Sequence, residues 1–251
     1  MLFEERINEY MRSEVKAIFY ELTDSTNLRA REYALCNGVS EPVVFVAREQ
    51  TAGRGRLGRS FMSREGGIYM SILMPAGDGA DVTAITAMAA VKAARALSST
   101  IGLEVGLKWV NDLYVNGKKL AGILTEGMFG ENGKLAYYIL GMGINVYKIE
   151  DFASVLPIAT SIEDALCKKV DINLLAASLA DALLSEVSSD EALSEYRRRS
   201  VVTGKELVVV GAEVSYPAVA EEILDDYSLL VRRLDNGERV RVFTGEVSVK
   251  L

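Results

Sequence analysis

The chain has 251 residues, 49% of them hydrophobic and 25% charged, with a net charge of -7 and no histidine. This is the composition of a soluble globular protein with room for one large domain and a small one, and its acidic balance argues against a broad basic face for gripping a nucleic-acid backbone. Without histidine the commonest general base and metal ligand is missing, so any chemistry falls to Lys, Arg, Asp, Glu or a bound ion.

The opening stretch, MLFEERINEYMR, has neither a basic n-region nor an apolar h-region. No run reaches the ~20 apolar residues of a membrane span, so a cytoplasmic protein that touches no membrane is expected. Residues 17–22 (AIFYEL) read as a strand, and the capping-rich DSTN after it opens a helix over LRAREYALC. Cys36 and Cys167 lie far apart without metal-type spacing. They fit a reducing compartment and are expected as small core fillers.

PVVFVA is a short buried-type strand, and beyond it GRGRLGR, residues 53–59, packs three glycines and three arginines into seven positions. Glycine lets the backbone approach a ligand, while arginine offers planar, permanently charged donors, so this is an anion-binding loop. It also spells G-x-G-x-x-G. A dinucleotide loop must run from a strand into a helix, however, and here a Gly-Gly pair and the strand IYMSILM follow instead.

Residues 81–101 carry alanines and branched apolar residues at helical spacing and form a largely buried helix. VGLKWV, residues 105–110, and DLYV are strands, and Asn116-Gly117 turns the chain into the next strand, KLAGILTE. That hairpin gathers Lys108, Asn111, Asp112 and Lys119 at one pocket, and Gly122 interrupts its second strand as a bulge or a ligand's close approach would. Glu131-Asn132-Gly133 turns into the strand LAYYILGMGINV, whose Gly141 and Gly143 mark either a pocket wall or a crowded core. Three helical segments follow: TSIEDALCKK, INLLAASLADALLSEV and EALSEYRRRS.

The last fifty residues change character: short strands bounded by Gly, Pro and Asn-Gly, with no helical stretch, read as a small barrel. A boundary near Ser200 divides the chain into domains 1–200 and 201–251.

STN at Ser25, QTAGRGRLGRSF from Gln50, KWVNDLY, GKKLAGILTE, GMGIN and a late GEVSV occur together in this order. From about Thr23 to Val249 the chain thereby resembles the biotin protein ligases. The resemblance implies an α+β catalytic domain, a mixed sheet with helices related to class II synthetases and lipoate ligases, followed by an SH3-like β-barrel. It implies activation of biotin by ATP to biotinyl-5'-AMP and transfer to a lysine of a biotin carboxyl carrier protein, with no nucleic-acid partner. Homodimers are common in the family. With STN already at residue 25, no winged helix is expected before it.

By the same resemblance Ser25, Thr26, Asn27 and Gln50 line the biotin pocket together with Gly53, Gly55, Gly122, Gly141 and Gly143. Arg54 and Arg56 belong to a loop that closes over biotin and the adenylate, and Lys119 contacts the reacting carboxylate and the α-phosphate; these three are the candidate catalytic residues. Arg59, Phe61, Lys108, Asn111, Asp112 and Asn145 serve the nucleotide, Phe61 beside the adenine. Mg²⁺ rides mainly on the ATP phosphates, with Asp112 as its candidate protein ligand. Two departures stand out: Val110 replaces the proline of KWPND, keeping an extended backbone without the fixed φ, and Phe61 replaces a tryptophan, keeping the aromatic face without the indole N–H. The nearest enzymatic alternative is a lipoate-type ligase, and a nucleic-acid-binding module is a more distant one.

Overall fold

The computed structural model describes residues 1–130, 133–148, 158–210, 215–243 and 246–249. The expected turn at Glu131-Asn132 and the chain end beyond Val249 lie outside the described residues. Strands β1 (Lys16–Thr23), β2 (Val43–Gln50), β3 (Gly67–Pro75), β4 (Gly106–Lys108), β5 (Asp112–Val115), β6 (Lys118–Phe129) and β7 (Leu135–Asn145) form a seven-stranded sheet. Its order is β1-β2-β3-β7-β6-β5-β4. Only β1 and β2 pair in parallel; the other neighbours are antiparallel, so the sheet is mixed, as the family resemblance implied.

The alternation of side chains along β3 sorts the two faces. Ile68, Met70 and Ile72 join the main core under α3 (Val82–Ile101), whereas Leu73 packs with Val43, Phe45, Ile139 and the alanines of α2 (Thr26–Asn37) in a smaller cluster. Alanines let α3 lie close to the sheet. Asp81 caps it by accepting from the Ala84 N–H, and Gly102, at φ 70°, ends it in the left-handed conformation that glycine adopts without strain. Helix α1 (Glu4–Tyr10), which the sequence reading did not separate out, packs on α5 (Ile172–Leu184).

Several expectations need correcting. Both cysteines are exposed, not core fillers. The strand expected to run to Val110 stops at Lys108, where Trp109–Asn111 make the turn into β5 with a cis peptide between Trp109 and Val110. The helix expected over 160–169 shrinks to α4 (Ile162–Leu166), because Cys167 takes a left-handed conformation. Ser25 sits at the N-cap of α2 without a side-chain cap; the Thr26 N–H goes instead to Gln50 Oε1 at 2.8 Å.

After α6 (Ser189–Arg199), strands β8 (Glu206–Val210), β9 (Ser215–Ile223), β10 (Leu229–Arg233), β11 (Arg239–Val242) and β12 (Glu246–Val249) form a second sheet in the order β11-β10-β9-β8-β12. All its pairings are antiparallel, and β11 and β12 are its edges, so the described strands do not close a barrel. The main core continues into this sheet through Val202, Leu207, Ala218, Leu229 and Val231.

Polar contacts join the sheets at the β4–β5 turn. Trp109 Nε1 donates to the Tyr227 carbonyl at 2.8 Å, and the Tyr196 hydroxyl donates to the Val110 carbonyl at 3.1 Å. The two tyrosine rings meet edge to face at 5.7 Å, and burial pushes the Tyr196 phenol up, keeping it a neutral donor. Trp109→Phe is expected to destabilise the protein by about 1–3 kcal/mol, because it orphans a buried carbonyl while keeping most of the ring. An unchanged urea midpoint would show that this bond contributes nothing to the joint.

Candidate active site

The glycine-arginine loop is folded back on itself. The Phe61 N–H donates to the Gly53 carbonyl at 2.8 Å and the Gly55 N–H to the Arg59 carbonyl at 2.7 Å, so Arg56–Gly58 forms a tight turn at the tip. Leu57 and Gly58 both take positive φ, 56° and 74°, to make that reversal. Gly53 has no room for a side chain, since a Cβ there would lie 2.4 Å from both the Phe61 carbonyl oxygen and Ser63 Oγ. No helix follows the tip, which removes the dinucleotide-loop reading on structural grounds as well.

Opposite the loop lies a floor of three glycines. Gly122 pairs with Gly143 and Leu124 with Gly141, which places the glycines on one face of β6 and β7. Each missing side chain is replaced by a neighbour's. A Cβ on Gly141 would lie 2.1 Å from Asn27 Oδ1, one on Gly143 would lie 2.5 Å from the Phe61 ring, and one on Gly122 would lie 3.2 Å from Lys119 Nζ.

The hairpin supplies the third wall. Asn116 and Gly117, at φ 50° and 74°, make the expected two-residue turn. Lys119 Nζ then lies 2.7 Å from Asp112 Oδ1. Asn111 is clamped: its Nδ2 donates to the Ile123 carbonyl at 2.8 Å, and its Oδ1 accepts from Arg56 Nη1 at 3.2 Å, tying loop to hairpin. Lys108 Nζ donates to the Tyr114 hydroxyl at 3.3 Å.

Loop, floor and hairpin surround one cavity, about 950 Å³ of empty space including the open solvent at its mouth. All but two of the residues singled out in the sequence line it. The exceptions are Gly53, packed behind the loop, and Asn145, which is buried and donates to the Thr160 carbonyl at 3.1 Å. That bond steadies the segment whose Ile158 carbonyl accepts from the Lys119 N–H and whose Thr160 N–H donates to the Lys119 carbonyl.

Met70, Trp109, Ile123, Leu124 and Met142 also line the cavity and were not foreseen. Apolar strand residues carry no chemical signal, and nothing in their spacing separates a pocket wall from core. The lining includes five cationic side chains, Arg54, Arg56, Arg59, Lys108 and Lys119, against the single carboxylate Asp112. In a chain of net charge -7 this is a locally inverted field built for an anion.

Residues 19–145 match the family model described as the biotin/lipoate A/B protein ligase family. The bifunctional ligase/repressor BirA of Bacillus subtilis (strain 168) is 38% identical over 177 residues, which cover 68% of this chain and 54% of that protein. This chain thus spans about half the length of that relative. The biotin--[acetyl-CoA-carboxylase] ligase of Paracoccus denitrificans is 31% identical over 225 residues, covering 84% of this chain and 91% of that one. Among solved structures, the biotin protein ligase from Aquifex aeolicus in complex with biotin and ATP superimposes with a TM-score of 0.77 at 26% identity, covering 94% of this chain and 98% of that one. With half of the chain inside the family model and a near full-length relative above 30% identity, this chain belongs to the biotin/lipoate A/B protein ligase family.

Proposed function

We propose that the chain is a biotin protein ligase that joins biotin to ATP as biotinyl-5'-AMP, releasing pyrophosphate, and then passes biotin to a lysine of a biotin carboxyl carrier protein. The observation that carries this reading is the shared cavity in which the arginines of the loop and Lys119 of the hairpin converge. In the first step a biotin carboxylate oxygen attacks the α-phosphorus and pyrophosphate departs; in the second the carrier amine attacks the mixed anhydride and AMP departs. Both steps shift negative charge between oxygens, so positioned cations contribute more than an acid-base residue would, in keeping with a chain that lacks histidine.

In this reading Ser25, Thr26, Asn27 and Gln50 surround the ring of biotin over the glycine floor of Gly122, Gly141 and Gly143, and Lys119 meets its carboxylate and the α-phosphate. Arg54, Arg56 and Arg59 cover the adenylate from the loop, whose Gly53 and Gly55 let the backbone fold closely beside biotin, Phe61 stacks beside the adenine, Lys108, Asn111 and Asp112 serve the nucleotide side, and Asn145 supports them from behind by holding the segment that bonds Lys119. A folded loop over the anhydride keeps water from it.

The donor set fits a magnesium ion carried on phosphate. Asp112 Oδ1 is buried and, although 2.7 Å from Lys119 Nζ, has no partner in hydrogen-bond geometry. Among the described residues no three His, Cys, Asp or Glu gather as a ligand set. One protein carboxylate completed by phosphate oxygens and water is an ordinary arrangement for Mg²⁺, which when bound would neutralise developing phosphate charge.

The remaining assignments rest on lighter observations. The division at 200/201 follows the change from helices to short strands, and the second sheet reads as an SH3-like barrel whose closure would bring its edges together. No helix among the described residues is long and apolar enough to cross a membrane, and the two free cysteines suit the cytoplasm. A homodimer would form on β1, one of the sheet's two edge strands, where Leu22 is exposed.

Biotin-dependent exchange of labelled pyrophosphate into ATP is the direct test, since it isolates the first step and needs no carrier. Exchange is expected with biotin and not with lipoate. Exchange with lipoate alone would move the chain to the other branch of its family, and no exchange with either would remove the ligase reading.

A further inference from the structure

The turn between β4 and β5 is gripped from outside the catalytic sheet, and it carries the acceptor that anchors the glycine-arginine loop. Lys108 pairs with Asp112 across the two strands, so Trp109–Asn111 alone bridge them. Each of the three is tied at one point: the Trp109 indole to the Tyr227 carbonyl, the Val110 carbonyl to the Tyr196 hydroxyl, and the Asn111 carbonyl to the Ile123 N–H at 2.9 Å. Tyr196 and Val110 are buried, and Tyr196 comes from α6, 86 positions along the chain. Tyr227, also buried, holds a left-handed conformation at φ 63°, which a residue other than glycine keeps only where its surroundings impose it.

The Val110 carbonyl belongs to the planar peptide unit whose nitrogen is that of Asn111, so holding the one orients the other. Asn111 Nδ2 is committed to the Ile123 carbonyl, which leaves Oδ1 as the atom that faces Arg56, 3.2 Å away. The Tyr196 phenol is raised by burial first, then raised by Asp112 and lowered by Arg56, so both reach it electrostatically. Removing its hydroxyl deprives the Val110 carbonyl of a hydrogen bond inside the core. Rotation of that peptide unit toward another donor is the available relief, and it carries Asn111 out of line with Arg56.

We propose that Tyr196 is a positioning residue for the loop: by holding the Val110 carbonyl it keeps Asn111 Oδ1 in place for Arg56, so the joint between the two sheets governs how firmly the loop stays folded over the cavity. Tyr227 supports the same turn through Trp109. The inference stands on the turn and the loop and does not depend on which ligand the cavity takes.

Trypsin reads the loop directly, because Arg54 and Arg59 are exposed on either side of the tip and cleavage there tracks the fraction of molecules with the loop open. In Tyr196→Phe, which keeps the ring contact with Tyr227, cleavage after residues 54–59 in the ligand-free protein is expected to run about 10-fold faster, with the fragments identified by mass. Asn111→Ala already lacks the anchor, so adding Tyr196→Phe to it is expected to change the rate by less than about twofold. Leu183→Ala, which opens a hole in the buried face of α5, lowers the urea midpoint and is expected to leave loop cleavage at the parent's rate.

Parent-like cleavage of folded Tyr196→Phe overturns the proposal. So does equal acceleration by Leu183→Ala, which would make the effect one of stability, or a further 10-fold gain on the Asn111→Ala background, which would bypass Asn111. Should Tyr196→Phe not fold, Trp109→Phe releases the same turn from Tyr227 and is expected to speed cleavage likewise; an unchanged rate there counts equally against the idea. In the ligase reading the looser loop lets biotinyl-5'-AMP leave Tyr196→Phe about 10-fold sooner, and retention equal to the parent's also overturns the proposal. A parent protein that makes no adenylate removes the ligase reading and leaves the cleavage result standing.

Discussion

Lys119→Ala is expected to cut biotin-dependent pyrophosphate exchange by about 10²- to 10³-fold while leaving the protein folded. The position of residue 119 in the fold depends on its backbone, whose N–H and carbonyl bond the segment around Ile158 and Thr160 whatever the side chain. The ammonium is half of a close pair with Asp112 at the cavity, so its removal subtracts a cation where charge develops and leaves a carboxylate facing the substrate's own negative groups. Both consequences oppose adenylation. Lys119→Arg is expected to restore only part of the rate, because a planar fork does not replace a compact point charge beneath Gly122. Near-normal exchange by a folded Lys119→Ala protein would remove this lysine from the chemistry.

Gly141→Ala should weaken biotin binding on the order of 100-fold, although it adds a single methyl group. The new Cβ would stand 2.1 Å from Asn27 Oδ1, and the Asn27 carboxamide has no free space to yield, being tied to Ser71 on one side and Glu126 on the other. Relief requires breaking one of those bonds. Gly77→Ala, where a Cβ meets nothing within 4 Å and φ is not positive, serves as the control and is expected to behave as the parent. Equal biotin affinities for the two variants, measured by calorimetric titration, would show that the glycine floor is not the seat of the ring.

Most of the fold was legible because its signals are local. Apolar runs marked β3 and β7, alanine-rich helical spacing marked α3, and Asn116-Gly117 marked the hairpin that carries Lys119. Errors fell where local preference yields to context. Cys167 reads as part of a helix but takes a left-handed conformation that ends α4, and Val110 reads as strand but lies in the turn held by Tyr196. The apolar cavity wall, Met70, Ile123 and Met142, could not be told from core because both are made of the same residue types.

From its own letters the chain specified which groups could do chemistry: a cationic glycine loop, a lysine hairpin, strand glycines and a histidine-free composition. These are properties of residue type and short spacing, and they need no partner to be read. The folded arrangement alone supplied the meeting of Gly141 with Asn27 and the reach of Glu126, 99 positions away in sequence, to that same amide. Contacts of that kind arise from the order of strands in the sheet, which local preferences do not encode, and they decide how the polar side chains of the pocket wall are held.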